Sequence, residues 1–82
     1  MENDTEMYSI EYFRENLKEL LSHKKIKQYQ FAEMLDIAPP NVNSWLAGGR
    51  EPSMYSFLRI CNALNVSPDW LLRKNKFVDF EE

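Results

Sequence analysis

The residues best suited to recognition chemistry lie in one stretch, positions 28–47, which reads QYQFAEMLDIAPPNVNSWLA. Asn41, Asn43 and Ser44 stand close together there, directly after Pro39 and Pro40. A carboxamide carries a donor beside an acceptor, and a hydroxyl can act as either, so these side chains suit polar recognition. Proline offers only apolar contact. Catalytic chemistry finds less support. His23 has no metal-binding companion, since zinc needs Cys or further His nearby. Glu81 and Glu82 lie in a tail and are not held for acid–base work. No glycine-rich phosphate loop and no nucleophile–base set occurs. The expectation is therefore a binding protein, with neither enzyme activity nor metal or cofactor.

Such side chains need a rigid mount, and the apolar pattern supplies one. Counted from Gln28, apolar residues recur at Phe31, Leu35, Ile37, Val42 and Trp45, with the small Ala32 and the turn-former Asp36 between them. This is the spacing by which two short helices cross near perpendicular over a tight turn. Alanine lets the second helix approach, and aspartate tolerates the left-handed conformation better than most non-glycine residues. Asn41 and Asn43 fall on the side away from Val42 and Trp45, so they are expected to be free. They are readers of bases or simply polar surface.

The rest of the chain reads as helices around that pair. The first is expected from about Ile10 to His23, capped by Ser9, with Ile10, Phe13, Leu17, Leu20 and Leu21 on one face. Arg14, Glu15, Lys18 and Glu19 lie off it, and Lys24 and Lys25 suit its negative end. The second spans about Gln28–Leu35. The third runs from the proline pair to about Ala47, with Pro40 the expected first helical residue because it pushes Pro39 away from helical dihedrals. Gly48 and Gly49 end it. The fourth follows Pro52-Ser53 to about Leu64, with an apolar stripe of Met54, Phe57, Leu58, Ile60, Cys61 and Leu64. The fifth is short: Ser67 as cap, Pro68 first, then Trp70, Leu71 and Leu72. Trp45, Trp70 and Cys61 read as core, the cysteine as an inert thiol.

Composition sets outer bounds. The 82 residues suffice for one domain. No apolar run approaches the roughly 20 residues of a membrane span. The single cysteine allows no internal disulfide, and the acidic start lacks the order of a signal peptide; together these suggest a cytoplasmic setting. The net charge of −3 at first argues against a nucleic-acid partner. All ten Lys and Arg nevertheless fall between Arg14 and Lys76, against six acids there, a surplus of four. Phosphate binding depends on such local charge. The expected organisation is an acidic arm (1–8), a domain (9–74) and a tail (75–82).

The sequence resembles the phage-repressor family, the Cro/repressor-like or xenobiotic-response-element-like regulators. FRENLKELL resembles the family's first helix, QFAEMLDIAPPNVNSWLAGGREPS its helix-turn-helix and following loop, and FLRICNALNVSPDWLL its last two helices. The resemblance implies an all-α, lambda-repressor-like five-helix bundle that places its third helix in the major groove of double-stranded DNA, usually as a dimer. It implies base readout by Pro39, Pro40, Asn41, Asn43 and Ser44. Gln28 matches a family glutamine that touches a backbone phosphate, helped by the positive end of its helix. Arg50 matches a loop along the backbone, and Lys24, Lys25 and Lys27 add candidate phosphate contacts. The departures are Pro39 and Pro40 in place of polar readers, Lys27 in place of a Ser or Thr cap, Asp36 in place of the turn glycine, and Ala47 where a polar residue is common.

Two functions follow. One is a sequence-specific transcriptional regulator, a repressor acting by occupation of its operator as a homodimer. Its dimer contacts would come from leftover apolar residues, Trp70, Leu71, Phe77, Val78 and Phe80, unless the tail folds back over its own core. The other is a protein-interaction module that does not bind DNA, which the proline pair and net acidity would fit. No small-molecule substrate or membrane is expected in either.

Overall fold

Three serines start three of the helices. Ser9 Oγ accepts from the Glu11 N–H at 3.0 Å, Ser53 Oγ from Ser56 at 3.1 Å and Ser67 Oγ from Trp70 at 3.0 Å. Each satisfies a first-turn donor and is worth about 1 kcal/mol. The computed structural model describes residues 7–75. Among them the chain forms α1 (Ile10–Lys24), α2 (Gln28–Leu35), α3 (Pro39–Ala47), α4 (Met54–Leu64) and α5 (Pro68–Leu72), with no strand. The fold is all-α, as expected. None of these helices is long and apolar enough to cross a membrane.

Two expectations about the helices need correction. Pro39, not Pro40, is the first residue of α3. Ala38 takes the extended conformation favoured before a proline, and the fixed φ of both prolines suits a first helical turn. Met54 and Leu58 do not belong to the inner stripe of α4; they are 75% and 48% exposed. The stripe is narrower, with Ile60, Cys61 and Leu64 buried and Phe57 half-buried.

The turns after α1, α2 and α4 close on the non-glycine residues Lys25, Asp36 and Asn65, at φ 59°, 57° and 58°. Only Asp36 was expected in this role. α3 ends on Gly48 at φ 94°, a backbone that side chains rarely adopt. In each case the cap residue's N–H returns to a carbonyl of the last turn.

One core joins the helices. Phe13, Leu17, Leu20 and Leu21 of α1 meet Phe31, Ala32 and Leu35 of α2, Val42, Trp45 and Leu46 of α3, Ile60, Cys61 and Leu64 of α4, and Leu71 of α5. The Phe13 and Phe57 rings lie tilted, 5.9 Å between centroids, a favourable aromatic arrangement. α2 packs against α3 and α4, while α1 packs against α3 and α5.

Two polar devices fasten α5 and were not visible in the apolar pattern. Asn16 is buried on α1, and its Nδ2 donates toward the carbonyls of Trp70, Leu71 and Arg73 at 3.3, 2.8 and 2.7 Å. It thus caps a helix too short to satisfy its own C-terminus. At the other edge the Ser9 N–H donates to the Leu72 carbonyl at 3.0 Å, and Tyr8 pairs with Arg73 in an isolated antiparallel bridge.

Candidate nucleic-acid interface

α3 is amphipathic, and its burial follows its sequence. Val42, Trp45 and Leu46 face the core; Pro39, Pro40, Asn43 and Ala47 are exposed. Asn41 and Ser44 are half-buried. The expected readers therefore do not form an equally free row. Asn43 is the exposed carboxamide, whereas Asn41 sits partly covered beside the α2–α3 turn. This corrects the expectation that both would be free: Asn41 lies on a helix packed closely against α2 and is only half-exposed.

The leading end of α3 is poor in donors. Pro39 and Pro40 have no N–H, and the third amide, that of Asn41, is already engaged. The leading end of α2 is different. Lys27 precedes it, and a lysine side chain has no acceptor with which to cap the first-turn amides. Gln30 Oε1 instead accepts from the Lys27 N–H at 2.8 Å, supplying one half of a reciprocal cap. Lys24, Lys25, Lys27 and Gln28 are all exposed around this end. Three cations and a helix N-terminus there favour an anion.

The far end of α3 is held from α1. Arg14 Nε donates to the Trp45 carbonyl at 3.1 Å, and its Nη1 pairs with Glu11 Oε2 at 2.7 Å. The Arg14 side chain is only 13% exposed. It was expected to lie off the packed face; in fact it bridges two helices. Past it, the Ser44 carbonyl accepts from Gly48, Gly49 and Arg50 N–H groups at 3.0, 2.9 and 3.3 Å. This turns the chain sharply and leaves Arg50 exposed.

The remaining candidate residues divide. Leu71 was counted among dimer contacts, but its own chain encloses it completely, so it offers no surface. Trp70 is half-buried against the core. Phe77, Val78 and Phe80 lie outside the described residues. Cys61 is buried, and desolvation pushes its thiol up from the ordinary cysteine value, which suits an unreactive core residue. Trp45 is core, at 6% exposure. Among the described residues no group of three His, Cys, Asp or Glu is placed to hold a metal.

The helix-turn-helix family profile matches residues 17–71, and the chain belongs to that family. Its five-helix arrangement is a lambda-repressor-like helix-turn-helix fold. A similar protein is the uncharacterized HTH-type transcriptional regulator YqaE of Bacillus subtilis (strain 168), 39% identical over 61 residues. That match covers 74% of this chain and 53% of the relative, so the chain spans about half the relative's length. No solved structure matches.

Proposed function

We propose that this domain is a sequence-specific DNA-binding regulator of transcription, a repressor that works by inserting α3 into the major groove of its operator. The observation that carries the reading is the outer face of α3. It presents Asn43 and the two prolines while Val42, Trp45 and Leu46 anchor the helix from behind. A recognition helix needs such a rigid back and a free front. The basic start of α2, with Gln28 and Lys24, Lys25 and Lys27, serves the phosphates, and Arg50 extends the contact along the backbone. The named relative is an HTH-type transcriptional regulator. The domain acts as a homodimer, with Trp70 and the apolar residues of the 75–82 tail supplying contacts.

Selection of bound sites from randomised duplexes tests the reading. Repeated rounds should enrich one motif, and binding should weaken steeply from low to moderate salt as counterions return to the phosphates. Retention of no duplex even at low salt would overturn it in favour of the protein-interaction reading. Sedimentation at high micromolar concentration tests the dimer, which a purely monomeric boundary would exclude.

A further inference from the structure

We propose that Pro39 and Pro40 make the leading end of α3 a reader of the pyrimidine 5-methyl group, so that the operator carries thymine beneath this turn. The inference rests on the reading that α3 enters the major groove. It adds to that reading the chemical feature that the first turn recognises.

The argument is one of available groups. A helix N-terminus normally presents three or four free N–H donors, which attract phosphates and other anions. Here the first two positions are prolines and have none, and the third amide is bonded to the Ala38 carbonyl at 3.0 Å. Ala38 provides no side-chain cap that an incoming acceptor could replace. Both proline rings are exposed. What this turn shows to a partner is therefore carbon. In the major groove G offers acceptors, A an acceptor and a donor, C a donor and T the O4 acceptor, and each of these loses hydrogen bonds to water when a ring of carbon covers it. Thymine alone among the four bases adds a methyl group. The same group appears on 5-methylcytosine, so the shared chemistry is the methyl at C5. Asn43, one turn along and exposed, is left to make the polar contact.

The prolines are also preorganised. Their ring dihedrals do not change on binding and their burial costs no rotamer entropy. A methyl group fully covered by such a surface is worth about fourfold in affinity.

The test uses the full 82-residue chain and the motif enriched from random duplexes. Each thymine is replaced singly by deoxyuridine, which removes only the methyl. At one or two adjacent positions binding should fall about fourfold, and cytosine placed there should bind better when 5-methylated. The Pro39→Ser and Pro40→Ser variants, checked for helicity by circular dichroism, should lose the difference between thymine and deoxyuridine. Equal binding of thymine and deoxyuridine duplexes at every position, with the motif still preferred over random DNA, would overturn this inference and leave the DNA reading intact. Failure to enrich any motif would instead sink both. Discrimination restricted to 5-methylcytosine would identify methylated rather than thymine-bearing sites as the source of the methyl.

Discussion

Arg14 on α1 donates its Nε hydrogen to the carbonyl of Trp45 near the end of α3, 3.1 Å away. The bond fastens the back of the helix-turn-helix to a neighbour from outside the motif. Its guanidinium also lies close to Gly48: a Cβ built there would stand 3.6 Å from Nε. A charge-assisted bond at a mostly covered site is worth about 1.5–3 kcal/mol. Arg14→Met should therefore lower the unfolding free energy by about 1–2 kcal/mol in urea melts, since the methionine stem keeps part of the packing. Amide exchange should quicken most at residues 46–49. Arg14→Lys should rescue little, because an ammonium lacks the planar fork that serves Trp45 and Glu11 together.

Asn43 is the carboxamide that α3 presents openly. Asn43→Ala should cost about 1–3 kcal/mol on the enriched site and little on random duplex, by fluorescence anisotropy. Asn41→Ala gives a different pattern. Asn41 is half-buried, so part of its loss should appear in thermal stability. Equal losses on both DNAs would remove Asn43 from the readers.

Asn16 holds three carbonyls around the end of α5. Removing it leaves the buried Leu71 carbonyl without this donor, while Asn75 Nδ2 still serves the carbonyls of Trp70 and Arg73 at 2.8 and 3.0 Å. Asn16→Ala should cost about 2–3 kcal/mol in a denaturant titration. Asn16→Asp should be worse near neutral pH, because a carboxylate facing carbonyls has no hydrogen to donate. Burial among acceptors raises the folded pKa of such an aspartate. The variant's stability should then be greatest below the ordinary carboxylate pKa and fall as pH rises through the raised one. A pH-independent loss would show that the site admits water.

Asp69 receives two hydrogen bonds, from the Arg73 guanidinium and the Tyr8 hydroxyl, both at 2.8 Å. The bond from Arg73 chiefly, and then that from Tyr8, holds its carboxyl below the usual aspartate value. A depressed folded pKa stabilises above the unfolded value, and that stabilisation is lost as pH falls through the folded one. Nuclear magnetic resonance titration should show Asp69 protonating below a free aspartate. The Tyr8 and Arg73 signals should move with it. Because the group is exposed, global stability should change little.

The helical scaffold was legible because its signals are local. Ser9, Ser53 and Ser67 sit where first-turn donors need them, and Phe31, Ala32, Leu35, Val42 and Trp45 keep the period that buries two helices against each other. What remained hidden depends on long-range partners. Arg14 and Asn16 look like ordinary polar residues on α1 until α3 and α5 arrive, 31 and 54–57 residues later in the chain. Asn65 takes a left-handed turn that asparagine tolerates well, while Lys25 adopts one without that preference and without a glycine. Met54 and Leu58 show the limit of periodicity. A broad apolar pattern fixes which way a helix turns, but the neighbours decide how wide a face is covered. At the candidate interface, α3 was placed to within a residue, while the partial burial of Asn41 was not legible from its helical position alone.

The antiparallel meeting of Tyr8 with Arg73 makes entrance and exit of the domain neighbours. A linker joining them would span only a short gap, so new termini could be opened in a connection such as that between α3 and α4 without redrawing the bundle. For the same reason, the chain enters and leaves the described body at one shared corner, where its two ends compete for room.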